Sequence, residues 1–533
     1  MRAAAAEAPA PTPPTAPSTR SSRWRPHRRH LPLAVLLGVY LAARVLILTR
    51  FSVYISFDST SYADQPGNTL DLLSFTGHAP RPWGVPLLYA LAGTNWAGAV
   101  VQWAISTLAW SLLICACWLL LRSLPARIFA AAALVGLALT RSIYPWDHAV
   151  LSESLSISLG VAALALLAIW VRTRSRIALG GLVLATFWWT FTRQDVLPYV
   201  LLLVVVLAGY ALLRPYRRAA IVATVVLLGG LAWNTTTTPT VDESYRAWYS
   251  GLSLSEATFL YRLRFQILND PQVKSAYQRE FGMPRCAPAE QIAKGTPWKM
   301  TEFIAGYHSC PDLEDWAQRE KGSVAYRYAL AHPKHSAEKA ADVLPALLGG
   351  TTGRYAEPVA ALPDFPERVF FPRPDRVLPI AGLILVVVVG AGLLARGFRR
   401  ARWLAAAGGL LVLASTGSAV AGTLFTAGEY ARFGIQEAVL LRVGLVLLAA
   451  AAIEAVTASA IDGIATLRRR RAPLTAPAGG PGTGEAAWAL DGHGEGPGPT
   501  PAGDLPTTTG GDPAGGRPWP AGREPDATPA RRP

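Results

Sequence analysis

The chain has 533 residues, of which 16% are charged and 51% hydrophobic, with a mean hydropathy of +0.28. A soluble globular protein carries about 25% charged residues, and long apolar runs joined by short arginine-rich loops exclude that class. They read as an all-α polytopic membrane protein with about ten transmembrane helices. The formal net charge of +15 is no argument for a nucleic-acid partner, because most basic residues flank apolar spans, where they report orientation.

Residues 1–30, rich in Ala, Pro and Arg, read as a disordered cytoplasmic arm. A first half of the membrane core covers 31–235, with expected spans at 31–50, 95–121, 126–142, 148–171, 177–192, 196–213 and 218–235. The first is read as a retained anchor. Residues 236–375 are polar and read as a small, mostly helical extracytoplasmic loop domain. Helical patterning runs through Phe259, Leu260, Leu263, Phe265, Ile267 and Leu268, with further helices expected over Glu314–Leu330 and Ser336–Leu344. A second half of the core, 376–466, holds spans at 376–395, 403–425 and 437–460. A basic juxtamembrane stretch and a disordered Gly/Pro-rich cytoplasmic tail fill 467–533.

Orientation follows from arginine. Arg20 to Arg29, Arg122/Arg127, Arg172 to Arg176, Arg214 to Arg218, Arg396 to Arg402 and Arg468 to Arg471 all fall on one side of a ten-span count. Both termini are therefore expected in the cytoplasm. The loop 51–94, the turns around Asp147 and Arg193, the loop 236–375 and the segment around Arg432 fall on the other side. Cys286 and Cys310 lie in the large loop; if it faces an oxidising compartment they are candidates for a disulfide. Cys115 and Cys117, inside a span, read as inert packing residues.

Asp58 follows directly on the first span. A carboxylate there is a candidate general base or cation ligand, and the plainer reading is a helix cap. Asp64 is either a partner in that role or a solvated loop charge. Arg81, Arg193 and Arg432 lie on the outer side, where a planar guanidinium suits a phosphate. The plainer reading is local pairing, Arg193 with Asp195 and Arg432 with Glu429. Glu153 is an intramembrane acid and a candidate by default, its plainer role being a hydrogen bond to a neighbouring helix. Asp147 and His148 precede it, and a metal reading of that pair is unspecific. Arg44, inside the first span, either snorkels or pairs with Glu153 or Glu454. Ser152, Ser154, Ser156 and Ser158 read as close helix packing. Trp83, Trp146, Trp188 and Trp189 read as an interface belt, with stacking on a sugar ring as the sharper alternative.

Several short motifs, in their order, resemble the GT-C superfamily, the polytopic glycosyltransferases that include protein mannosyltransferases and arabinosyltransferases. Phe57-Asp58-Ser59-Thr60-Ser61-Tyr62 matches the acidic motif after the first helix. Arg81-Pro82-Trp83-Gly84-Val85-Pro86-Leu87-Leu88 resembles the stretch leading to an interfacial helix. Leu151-Ser152-Glu153-Ser154-Leu155, Thr192-Arg193-Gln194-Asp195 and Glu429-Tyr430-Ala431-Arg432-Phe433 resemble later segments. The resemblance covers most of 31–460. It departs from the protein O-mannosyltransferases at Ser59, where those enzymes carry a second acid.

The resemblance implies a plasma-membrane enzyme of the cell envelope. It would move a monosaccharide from a polyprenyl-phosphate donor to an acceptor hydroxyl, with inversion, on the extracytoplasmic face. It gives Asp58 and Asp64 the catalytic role. Arg81, His148, Glu153, Arg193, Tyr430 and Arg432 would bind the donor phosphate and substrate. A divalent metal ion is left open, with Asp58, Asp147 and His148 as candidate ligands. The acceptor is a cell-envelope glycan, a glycolipid or a protein. Two other classes stand beside this one: a lipid-linked-sugar flippase, which calls for polar residues through the bilayer depth, and a non-catalytic scaffold built on 236–375. Asp58, Arg81, Glu153, Arg193 and Arg432 are expected to converge on one outward cavity.

Overall fold

The computed structural model describes residues 26–63, 81–213, 217–247, 251–294, 300–350, 359, 362–394, 398–424 and 430–471. Asp64, Glu429 and the two terminal stretches lie outside the described residues. Those described form helices and no strand; one isolated parallel bridge joins Tyr54 to Ala149.

The first half comprises α1 (Pro26–Arg50), α2 (Gly84–Ala92), α3 (Asn95–Leu120), α4 (Leu124–Ala138), α5 (Glu153–Thr173), α6 (Arg176–Thr190), α7 (Leu197–Leu213) and α8 (Arg217–Ser244). A set of short helices follows: α9 (Leu254–Arg262), α10 (Pro271–Glu280), α11 (Ala287–Ala293), α12 (Met300–His308), α13 (Pro311–Glu320), α14 (Val324–Ala331), α15 (Pro333–Leu348) and α16 (Phe365–Phe370). The chain then returns to long helices α17 (Pro374–Leu394) and α18 (Phe398–Thr423), the single turn α19 (Tyr430–Phe433), and α20 (Ile435–Arg471). Among the described residues eight helical segments are long and apolar enough to cross a membrane, as in a polytopic membrane protein. The other two expected spans coincide with α4 and α6, which are shorter apolar helices.

The centre of the bundle is α3, α5 and α20, with α18 packed along α20. A glycine pair makes that last contact: a Cβ on Gly444 would stand 2.9 Å from the Gly408 carbonyl oxygen, and the reverse holds equally. Without side chains there, the two backbones approach directly, the usual way that helices associate where apolar burial offers little gain. Hydroxyl caps set several helix starts, among them Thr94 Oγ1 accepting from Ala97 N at 3.1 Å before α3.

Three expectations change. The span expected from residue 148 begins at Glu153, because Tyr144–His148 form a 3₁₀ turn and the His148 carbonyl and Val150 N–H are committed to Tyr54. The helix expected over 314–330 is split into α13 and α14 at Lys321–Ser323; Gly322 stands at the break, where a helix interior would cost it conformational entropy. The tryptophans do not form a belt. Trp83, Trp146 and Trp189 are buried, and the indole N–H groups of Trp146, Trp188 and Trp189 donate to Ser142 O, Gly84 O and Ser156 Oγ. A buried indole needs an acceptor, and these loops and helices supply one.

The short helices α9 to α14 enclose a separate apolar core built on Phe259, Leu260, Phe303, Tyr307 and Trp316. Cys286 and Cys310 are joined there in a disulfide, their Cα atoms 6.0 Å apart.

Candidate functional site

Asp58 sits in a 3₁₀ turn, Phe57–Ser61, just beyond α1. The cap of that turn is made by serine: Ser59 Oγ accepts from the Ser56 N–H at 2.8 Å. The Asp58 carboxylate is therefore not consumed as a cap, and Ser59 has a local job in the turn. The preceding strand of loop is pinned by Tyr54 N donating to His148 O (2.9 Å) and Val150 N donating to Tyr54 O (3.1 Å).

Five of the residues singled out in the sequence meet in one chain of ion pairs. Arg432 Nη1 lies 2.7 Å from Asp58 Oδ2, and its Nε donates to Glu153 Oε1 at 2.8 Å. Arg193 Nη1 reaches the same Glu153 oxygen at 3.0 Å. On its other side Arg193 grips Asp195 with two parallel bonds, Nε to Oδ1 at 2.9 Å and Nη2 to Oδ2 at 2.6 Å. Arg81 Nη2 stands 3.5 Å from Asp58 Oδ1, while its Nε donates to Ser61 Oγ at 3.0 Å. Tyr62 lines this assembly: the Arg81 guanidinium lies 5.2 Å from its ring centre, and its hydroxyl donates to Ser152 Oγ at 3.3 Å.

Three arginines thus face three carboxylates. Burial alone would lower the arginine pKa values, but Asp195 and Glu153 hold Arg193 above its ordinary value, and Glu153 and Asp58 do so for Arg432. Arg81 is likewise raised against burial, by Tyr62 and Asp58. Glu153 is almost fully enclosed at the first turn of α5, where the helix N-terminus favours an acid. Its Oε2 is buried with no hydrogen-bond partner among the described residues.

Asp147 and His148 belong to a different set of contacts. Arg44 pairs with Asp147 at 2.6 Å and donates to Thr107 Oγ1 at 2.9 Å. That corrects the expectation of a pairing with Glu153 or Glu454. Asp147 also accepts from Ser154 Oγ at 2.5 Å, and Glu454 accepts instead from the N–H and hydroxyl of Ser123. His148 stacks on Phe51, ring centres 4.1 Å apart, and both its ring nitrogens are buried without a partner among the described residues. Burial, then Arg44, pushes its pKa down to about 3. Tyr430 lies on α19, two positions before Arg432. Asp64 falls outside the described residues.

The donor set does not fit a divalent ion. Asp58 and Asp147 are each engaged by guanidinium groups, and the buried Arg44 charge beside His148 disfavours a cation there. Among the described residues no three His, Cys, Asp or Glu side chains are grouped to hold a metal.

Sequence reasoning left three participants unassigned. Tyr62 was quoted within its motif without a role. Gln436 and Glu437 open α20 below Arg432: Gln436 Oε1 accepts from Ser156 Oγ at 2.9 Å, and Glu437 Oε1 accepts from Ser418 Oγ at 2.8 Å. The signal that marked Glu153, an acid in an apolar run, also marks Glu437. The four serines of α5 are buried as expected of packing residues, and three of them also hydrogen-bond: Ser152, Ser154 and Ser156. Compared with known family models, characterised proteins and solved structures, the chain matches none.

Proposed function

We propose that the protein is a membrane glycosyltransferase that moves a monosaccharide from a polyprenyl-phosphate donor to an acceptor hydroxyl on the extracytoplasmic face, with inversion. The observation that carries this reading is the continuous pairing of Asp58, Arg432, Glu153 and Arg193, with Arg81 at its edge. A part-exposed acid between two arginines at the rim of the cluster, beside apolar helices, suits a phosphate on a lipid and a hydroxyl to be activated.

The unequal burial of the acids supports a division of labour. The Glu153 side chain is 1% exposed and anchors Arg193 and Arg432, whereas that of Asp58 is 28% exposed. A donor phosphate would take the place of Asp58 on Arg81 and Arg432, because a guanidinium binds phosphate oxygens as well as it binds a carboxylate. Asp58, released, would accept the proton of the acceptor hydroxyl. The acceptor oxygen then bonds to the anomeric carbon as the bond from that carbon to the phosphate oxygen breaks. The proton ends on Asp58, and the electron pair leaves with the polyprenyl phosphate. Arg81 and Arg432 would stabilise that developing charge from prepositioned sites. No step runs through a metal.

The test is a lipid extraction joined to two variants. Polyprenyl phosphate should co-purify with the wild-type protein and be depleted about tenfold or more in Arg432→Gln, which removes a charge-assisted contact. Asp58→Asn should keep the lipid and lose transfer by about a hundredfold or more, the usual weight of a general base. Absence of the lipid from wild-type protein, or undiminished transfer by Asp58→Asn, overturns the proposal.

A further inference from the structure

A cavity of about 500 Å³ lies where the C-terminal part of α8, the turn Gln194–Val196 and α9 meet. That is within the roughly 300–1,000 Å³ of small-molecule sites. Its polar lining is Gln194, Thr238, Asp242, Ser255, Thr258, Arg262 and Lys321. Gln194 sits in sequence between Arg193 and Asp195, the last pair of the ion chain, so the cavity adjoins the Arg193 end of the candidate site.

The hydrogen-bonding capacity of that lining selects a ligand class. Thr238 Oγ1 donates its proton to Asn234 O at 2.9 Å and Thr258 Oγ1 to Leu254 O at 2.8 Å, so each hydroxyl offers only lone pairs. Asp242 accepts from Ser255 N at 2.6 Å and Ser255 Oγ at 3.0 Å. A carboxylate has about four lone-pair sites, so acceptor capacity remains. Lys321 donates to Gln318 Oε1 at 2.8 Å and to Ser253 Oγ at 3.5 Å, and an ammonium has three protons. The Gln194 amide, exposed, makes no side-chain hydrogen bond among the described residues and offers both senses. A ligand here must donate to Thr238, Thr258 and Asp242, and accept from Lys321 and Gln194. Hydroxyl groups do both at once. Arg262 adds a second cation beside Lys321, so charge alone does not exclude an anion, but a phosphate ester carries at most one O–H, too few to serve Thr238, Thr258 and Asp242 together.

We propose that this cavity seats the acceptor, and that the acceptor is a neutral carbohydrate. The assignment rests on the transfer reading and narrows its acceptor from glycan, glycolipid or protein to a sugar unit. Pro239, exposed at the cavity and outside the hydrogen-bonding set, serves as a reporter. Full-length protein carrying Pro239→Cys is labelled with a maleimide, read at that position by peptide mass spectrometry. The probes are a panel of neutral disaccharides of glucose, mannose, galactose and arabinose, with inorganic phosphate as the anionic comparison. At about four times its Kd a bound sugar should slow labelling about fivefold, since only the free fraction reacts. Phosphate should not slow it, and Asp242→Ala should abolish the protection. If Asp242→Ala fails to fold, Gln194→Ala carries the same comparison.

Protection by none of the sugars, equal protection by phosphate, or protection that survives both variants overturns the assignment. Polyprenyl-phosphate retention, measured on the same preparations, separates the two readings. Retained lipid with no sugar protection sinks only the cavity. Sugar protection with no lipid retained sinks transfer, and with it the role of the cavity as an acceptor seat.

Discussion

Asp58 and His148 are joined through the backbone, since the loop that carries Asp58 is pinned at Tyr54 to the His148 carbonyl. The His148 ring is held neutral by burial and by the Arg44 charge, and it stacks on Phe51 at the start of the same loop. Its pKa falls from 6.5 to about 3 on folding. Between those two values the unfolded chain binds a proton that the folded one refuses, so stability is lost as pH falls through that window and is complete above it. His148→Phe keeps an aromatic partner for Phe51 and removes the proton. Thermal unfolding in nanodiscs should therefore lose less on acidification from neutral pH in His148→Phe than in wild type; parallel pH profiles would discard this account. The residues of the arginine cluster were legible in the sequence because each charge stands against an apolar background. The local pair of Arg193 with Asp195 was legible too, but the long-range pairings were not: Arg432 and Glu153 are 279 positions apart and, outside the cluster, Arg44 and Asp147 are 103 apart. Arg44 shows the limit plainly: the cost of burying it was readable, while the choice of Asp147 over Glu153 or Glu454 depends on how α1 and α3 cross.

At the scale of the element, α20 joins the site to the bundle. Its first turn carries Gln436 and Glu437, and the α19 turn just before it carries Arg432. The register of α20 is fixed by its contact with α18, where Gly444 faces the Gly408 backbone. A valine at position 444 would put its Cβ 2.9 Å from a carbonyl oxygen that cannot rotate away, so the helices must part. Overpacking of this kind costs about 1–3 kcal/mol. Gly444→Val should lower the thermal unfolding midpoint and weaken polyprenyl-phosphate retention, since Arg432 moves with the helix. Gly463→Val on the same helix, where nothing lies within 4 Å, should do neither. Equal melting of the two variants would count against the glycine contact as the element that sets register. A hydropathy pattern finds α20 but not this crossing, because an isolated glycine in a long apolar run reads equally well as filler. The later start of α5 was hidden for a similar reason: only the Tyr54 bridge, contributed from a distant loop, keeps Ala149 and Val150 out of the helix.

At the scale of the whole molecule, α20 also measures the distance from the arginine cluster to the arginine-rich turns. Ile435 and Glu454 are nineteen positions apart, roughly 28 Å along a helix, close to the thickness of a bilayer core. Glu454 accepts from Ser123 N at 2.8 Å, beside Arg122, so the Arg122–Arg127 turn lies midway along α20, about a bilayer-core thickness from Arg432. Arg468 to Arg471 continue beyond Glu454 in the same direction. The positive-inside rule favours a cytoplasmic place for these arginine-rich segments, and on the proposed function the cluster around Asp58 is extracytoplasmic. The Cys286–Cys310 disulfide argues the same way, since such bonds persist in oxidising compartments. Single cysteines test the orientation. Ser52→Cys, exposed beside the cluster, should react with a membrane-impermeant maleimide in intact cells. Thr173→Cys, exposed at the end of α5 next to Arg172 and Arg174, should react only after permeabilisation. The reverse pattern would invert the protein. Asp58 and Arg432 would then face a reducing compartment in which the disulfide has no reason to persist, and any lipid-linked donor would have to be drawn from the inner leaflet.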